Sequence, residues 1–338
     1  MNISTYESLP LNVKEKLAAA NIYYDGRYSD YEKLNNNTVQ YIYNEAFIQV
    51  VSIHRMKKFF AFAQLPSEPF ALSGDPANEV EMRAFLDEAL VAMKKKLKVD
   101  WISSTLAGAI FKAYPTKSKR IRWGNYVIDL SDKTPETVFS GFDSKHRNMV
   151  RRGEKSNITV KFGGIELLED YLALDEQTWL RSNKKINNSK VYKNYIKALG
   201  ENAVIGIAYD SENVPQAGLM GFYNDALFYY MFGASADSPA PGSTHYLQFQ
   251  TMKLMLERGV KAYNFVGCRI NVDKGSKYEH IQHFKKGFGG DLIECYMFKT
   301  VLRNTKFKLF NLIYLLIKGI KMPTDAIDDE LPKWAEIN

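Results

Sequence analysis

The 338 residues are 46% hydrophobic and 25% charged, the balance of a globular protein and not of a disordered or collagenous one. A net charge of +7 favours an anionic partner, whether nucleic acid, phosphorylated substrate or acidic membrane surface, without choosing among the three. Cysteine occurs only at Cys268 and Cys295, which argues against a disulfide framework.

Residues 1–37 are polar and rich in tyrosine. Alternation over 38–43 and 47–53 predicts two strands joined as a hairpin through Asn44 and Glu45, and a third apolar run follows at 59–65. Asn78 then caps a helix whose apolar positions Val80, Phe85, Ala89, Leu90 and Met93 recur near helical spacing. Lys94, Lys95 and Lys96 suit the negative end of that helix. A strand restarts at Asp100-Trp101-Ile102-Ser103. After a strand at 122–130, Thr134 as N-cap with Pro135 at the first helical position marks another helix start. That helix leads into 145–155, where Lys145, Arg147, Arg151, Arg152 and Lys155 form either a solvated face or a phosphate-contacting one.

The second half repeats the first. Strands are expected at 203–209, 216–223 and 226–232, with turns at 211–213 and at Asn224-Asp225. Pro239, Pro241 and Gly242 break the last strand. A helix runs from Ser243 to Arg258 and stops at Gly259, and a strand follows at 262–266. Each half therefore reads as strand meander, amphipathic helix, strand, over about 60 residues, an internal duplication at the supersecondary level. The fold class is α/β (α+β), with mixed sheets flanked by helices.

Residues 280–290, His-Ile-Gln-His-Phe-Lys-Lys-Gly-Phe-Gly-Gly, set two lysines and three glycines together. Glycine allows close backbone approach or positive φ, and lysine supplies a compact charge for an oxyanion or phosphate. The alternative is a lysine-flanked strand with a glycine turn. His280 and His283 have a spacing that metal sites use, but without a companion Cys or carboxylate cluster no metal is expected. His54, His146 and His245 are isolated and read as structural or surface residues. Residues 306–321 are apolar at the centre and basic at both ends. This stretch either lies in a headgroup region or docks on the second domain. No apolar run reaches the roughly 18 residues that span a bilayer, and residues 1–17 lack signal-peptide regions. A cytoplasmic protein is expected, in contact with the inner membrane face if 306–321 docks there.

No Gly-x-Ser-x-Gly elbow, Walker A or dinucleotide fingerprint follows a strand. The meander–helix–strand order is that of the GNAT acetyltransferase fold. Its pyrophosphate loop is missing at the start of the Ser243 helix, where Pro239-Ala240-Pro241-Gly242-Ser243 stands.

Tyr229-Tyr230-Met231-Phe232-Gly233-Ala234-Ser235, Leu247-Gln248, Gly259, Tyr263-Asn264-Phe265 and Phe284-Lys285-x-Gly287-Phe288-Gly289-Gly290 together resemble the FemABX peptidyltransferases. So does Val127-Ile128-Asp129-Leu130 followed by Lys145-x-Arg147-x-x-Val150-Arg151-Arg152. The resemblance spans about residues 21–300 and fits a compact member, since no heptad run suggests the coiled-coil arm of longer ones. It implies two tandem GNAT-like domains, expected at 1–143 and 144–305, with 306–338 as amphipathic helix and acidic tail. The implied activity is transfer of an amino acid from aminoacyl-tRNA to a side-chain amine of a phosphate-bearing peptidoglycan precursor, without a resident cofactor.

Carried over by residue, Phe284 and Lys285 match the pair at the aminoacyl-acceptor site, the lysine facing the tetrahedral intermediate, while Lys286 is a neighbouring charge. Tyr31 and Lys33 match a Trp-x-Lys whose lysine contacts the precursor's phosphate, and Tyr230 matches a cleft tyrosine. Tyr192 matches the tyrosine of an Arg-x-x-x-Tyr pair, but Asn188 replaces the arginine, leaving Lys190 to reach the anion. An Asp-Pro after the first-domain helix is replaced by Val99-Asp100-Trp101. Two other readings stay open. One is a GNAT-like N-acyltransferase using a thioester donor on an amino sugar or lipid-linked precursor of a surface polysaccharide. The other is a non-enzymatic basic protein that binds RNA or a membrane surface.

Overall fold

The computed structural model describes residues 1–56, 59–74, 78–182 and 188–335. Internal contacts divide the chain into two units, Met1–Leu17 with Tyr23–Gly124 and Ile293–Asn338, and Ala18–Ile22 with Asn125–Leu292. In chain order the elements begin with β1 (Asn2–Ser4), α1 (Leu11–Ala20), α2 (Gly26–Leu34), β2 (Thr38–Tyr43), β3 (Phe47–Met56), β4 (Phe60–Gln64) and β5 (Phe70–Ala71). Next come α3 (Glu79–Lys95), β6 (Trp101–Ile102), β7 (Lys119–Asp129), α4 (Pro135–Ser140), α5 (Ser144–Lys155), β8 (Thr159–Gly163), α6 (Leu168–Arg181) and α7 (Ser189–Leu199). Then follow β9 (Ala203–Tyr209), β10 (Pro215–Tyr223), β11 (Phe228–Ser235), α8 (Ser243–Glu257), β12 (Ala262–Cys268) and α9 (Lys277–Lys286). The order is completed by β13 (Asp291–Val301), α10 (Asn304–Lys318) and α11 (Ala326–Ala335).

In the first unit β2, β3 and β4 form an antiparallel meander, α3 crosses over, and β6 returns parallel to β4 in the register Phe62↔Trp101 and Ala63↔Ile102. The Asn78 cap is present, its side chain accepting from Val80 N–H, so the helix starts where the sequence places it. Phe85, Ala89, Leu90 and Met93 are buried against Ile42, Val51 and Ala63. Val80 is the exception at 75% exposure, because it stands in the first turn, before the apolar stripe meets the sheet.

Residues from Ile293 onward cluster with this unit, whereas the sequence suggested a break at 143/144 and a separate tail from 306. The physical reason is strand pairing and aromatic packing: Thr300 and Val301 of β13 pair with β6, and Phe307 and Phe310 of α10 pack on Trp101 at 5.3 and 5.0 Å. The 306–321 helix thus docks on the first unit and not on the second. Its anchor is Asp100, fully buried, which accepts from Ala61 N–H at 2.9 Å and lies 3.5 Å from both Arg303 and Lys306. Removing one member of a buried ionic group leaves the others unpaired. Asp100→Ala should cost on the order of 3 kcal/mol, measured by urea denaturation.

The second unit repeats the order. β9, β10 and β11 form the meander, α8 crosses over, and β12 returns parallel to β11. Register between β11 and β12 holds at Phe228↔Tyr263 and Tyr229↔Asn264, and the functional residues collect beyond those pairs. The Thr134 capping box with Pro135 is present on α4, but the helix stops at Ser140 and the basic stretch is a separate helix capped by Asp143. α5 buries His146, Val150 and Gly153 and leaves Lys145, Arg151 and Arg152 exposed. Gly153 and Gly242 meet so closely that a Cβ on either would strike the other's backbone, which packs the start of α8 against α5.

Candidate active site

The site is built on a bend in β12. The Asn264 side chain, fully buried, accepts from Val266 N–H at 2.7 Å, and Val266 adopts φ +53. A β-branched residue in the left-handed region is an outlier that costs on the order of 1–3 kcal/mol and needs its surroundings to hold it there. The bend presents the Val266 and Gly267 carbonyls to Lys285, whose Nζ donates to them at 3.1 and 2.7 Å. An ammonium has three N–H donors, so one is left for a ligand. Lys285 is 7% exposed. Burial pushes it down to about 8, with Cys268 opposing the shift.

Residues 280–286 are helical, not the strand considered as the alternative. Ser276 caps α9 by accepting from Glu279 N–H, and Glu279 accepts from Gly275 N–H, one residue before the N-cap, so the Ser-x-x-Glu pattern in the sequence marks the helix start without forming the full reciprocal box. Helical spacing puts Lys277, His280, Ile281 and Phe284 on one stripe. With Lys285, Thr178 of α6, and Tyr230 and Gly233 of β11, that stripe lines a cleft of about 690 Å³. Burial pushes Tyr230 up to about 12, against a hydrogen bond with Gln248 that lowers it. Gln248 also accepts from the buried Tyr263 hydroxyl at 2.6 Å. Tyr230 is therefore a neutral phenol at the cleft wall, and its hydroxyl fills the space a Cβ on Gly233 would need.

His146 holds α9 from behind. Its ring contacts Asp143 Oδ1 through Nδ1 at 2.9 Å and the Phe284 carbonyl through Nε2 at 3.0 Å. It occupies the volume of a Cβ at Gly287 and packs on Phe288 at 4.7 Å. The sequence marked His146 as isolated. The Asp143-x-x-His146 spacing at a helix start was the available signal, but the partner carbonyl lies 138 residues away. Thr178 and Lys277 carry no signal in the sequence, while Gln248 stands in the Leu247-Gln248 pair of the resemblance without a role assigned to it.

The remaining expected residues have other placements. Tyr192 is fully buried, its hydroxyl donating to Asp175 at 2.8 Å and its ring against Tyr171 and Phe232; it offers no surface to a substrate. Asn188 caps α7 by accepting from Lys190 N–H, and the Lys190 side chain is exposed. Arg147 donates to the Ser140 and Phe142 carbonyls. In the first unit, Tyr31 stacks on Tyr28 at 6.1 Å, and Lys33 pairs with Glu7 at 3.1 Å and Asp30 at 3.2 Å. Among the described residues no cluster of three His, Cys, Asp or Glu side chains could hold a metal.

The FemAB family profile matches residues 54–210 and 207–315. The chain belongs to the FemAB family. It is similar to aminoacyltransferase FemB of Staphylococcus epidermidis, 25% identical over 92 residues that make up 27% of this chain and 22% of that protein. It is also similar to the lipid II:glycine glycyltransferase of Staphylococcus haemolyticus, 36% identical over 67 residues, 20% of this chain and 16% of that protein. The matched stretches are thus about a fifth of these curated relatives. Among solved structures, FemX superposes with TM-score 0.69 at 15% identity, covering 91% of this chain and 99% of FemX. The C-terminal domain of a putative lysylphosphatidylglycerol synthetase from Agrobacterium fabrum gives 0.55 at 9% identity, covering 90% and 96%. These identities support the fold and no more.

The depressed Lys285 has a thermodynamic signature. Between about 8 and the model-peptide value near 10.4, the unfolded chain binds more protons at this position than the folded one, so stability rises with pH there. Lys285→Met has no such group. The stability of the native protein relative to Lys285→Met should rise by about 3 kcal/mol across that window, read from denaturant unfolding at stepped pH. A flat difference would place the ammonium in a solvated setting.

Proposed function

We propose that this protein is an aminoacyltransferase that moves an amino acid from aminoacyl-tRNA to an amine of a peptidoglycan precursor, as in interpeptide bridge formation. The observation that carries the reading is the Lys285 ammonium, buried at the cleft, held by two carbonyls and left with one N–H to give. The names of the partly matching relatives, an aminoacyltransferase and a lipid II:glycine glycyltransferase, support the substrate class.

In this reaction the acceptor amine's lone pair attacks the ester carbonyl carbon and the carbonyl π pair moves onto oxygen. The C–N bond is formed, the ribose C–O bond breaks as the oxyanion collapses, and the amine's proton passes to the departing ribose oxygen. An activated ester and an amine need orientation and oxyanion stabilisation more than a strong base. Lys285 supplies the positive charge at the oxyanion. Phe284 and Tyr230 shape the cleft wall and exclude water beside it. No resident cofactor takes part. Lys33 contacts the precursor's phosphate once released from Glu7 and Asp30, and the exposed Lys145, Arg151 and Arg152 contact the tRNA backbone. The acceptor is nucleotide- or lipid-linked, and the work is done in the cytoplasm, at the inner membrane face when the acceptor is lipid-borne.

A thioester donor is the competing reading. Against a CoA donor stands the start of α8, where Gly242 is pressed on α5 and Ser243 is 1% exposed, so the backbone N–H groups that would cradle a pyrophosphate are covered. Charged tRNA and an acyl thioester offered separately with muropeptide and amino-sugar acceptors, with products identified by mass spectrometry, decide between the donors. Transfer from the tRNA alone is expected. Lys285→Ala should lower kcat by about 100-fold or more while KM changes little. Unchanged turnover would remove Lys285 from the reaction.

A further inference from the structure

α10 is a 15-residue helix without a single buried residue. One side packs on the first unit through Phe307 and Phe310. The helix's exposed apolar residues include Leu312, Leu316 and Ile317 at 52, 75 and 67% exposure, continued past the helix by Ile320 at 58%. Neither this helix nor any other among the described residues is long and apolar enough to cross a membrane. Residues 303–321 contain five basic side chains and no acidic one. Arg303 and Lys306 are committed to Asp100, while Lys308, Lys318 and Lys321 are exposed. Of the described acids that follow, Asp325 and Asp328 hold Lys299 at 2.9 and 2.6 Å, Asp329 accepts from Thr324, and Glu330 is 2% exposed.

We propose that the outer face of α10 docks on an anionic lipid bilayer. Apolar residues at the acyl boundary with lysines at the headgroups is the arrangement of an interfacial helix. Charge complementarity selects an anionic surface. The inference deepens the proposed function by giving the protein a way to meet a lipid-borne acceptor. Vesicle binding is read without transfer, so either can fail alone.

The test is co-sedimentation of the full chain with phosphatidylcholine vesicles and with vesicles containing one quarter phosphatidylglycerol. Binding at least tenfold tighter to the anionic vesicles is expected, weakening with salt. The double variant Leu316→Glu, Ile317→Glu should lose at least tenfold with unchanged Tm, since both side chains are solvent-exposed. Equal binding to both vesicle types, or by the double variant, overturns the proposal. So does a concentration-dependent dimer that the double variant abolishes without vesicle binding, which would assign the face to a second copy.

Discussion

A charged lysine in a protein interior is expensive unless acceptors hold it, and the second unit is arranged around meeting that cost at Lys285. Two backbone carbonyls on one strand can face one ammonium only if the strand departs from its pleat. β12 does so at Val266, and the bend is enforced by the Asn264 side chain. The lysine has to arrive from a helix whose end is fixed, and the His146 contact with the Phe284 carbonyl fixes it. Strain at Val266, burial of Asn264 and close packing at Gly287 are thus three consequences of one requirement. Such strain persists where the surroundings over-determine it, commonly at functional sites.

The same order of elements gives different surfaces in the two units. In the first, the sheet beside the parallel pair is covered: Trp101 is 5% exposed and packs on Phe62, Phe307 and Phe310, with Asp100 tying the covering helix down. In the second, the parallel pair diverges after Tyr229 and Asn264, and the space is lined by Tyr230, Gly233 and one stripe of α9. A duplicated scaffold has one copy filled by aromatic side chains and the other left as a cleft with a charge at its floor. Fold is shared here; the chemistry lives in side chains that differ.

Local signals made much of this legible in the sequence. Caps at Asn78 and Thr134, the Asn44 hairpin, and the duplicated meander–helix–strand order need only nearest neighbours, and the structure follows them. Residues 280–290 show where local reading weakens: the glycines are the conspicuous feature, and the Ser276 cap that starts the helix lies four residues upstream. Phe284, Lys285 and Tyr230 could be picked out by resemblance. What makes Lys285 unusual could not, because burial and the Val266 bend depend on residues packed from α5, α8 and β12. Tyr192 marks the opposite limit. Its position matches a motif, but without the arginine four residues before it the hydroxyl is satisfied internally by Asp175.

That exchange bears on how the acceptor's anion would be held under the proposed function. Asn188 serves as the α7 N-cap, a role worth about 1 kcal/mol that an arginine could not fill. At this position the chain therefore has no planar, bidentate anion contact, and Lys190 in the first turn offers only a flexible point charge. Under the proposed function, an acceptor phosphate met by Lys190 would be approached loosely and from solvent. Tight positioning would then be left to the cleft, where Lys285 is held by two carbonyls and Tyr230 by Gln248. On that reading precision is concentrated around Lys285, and looseness is tolerated at the far end of the acceptor.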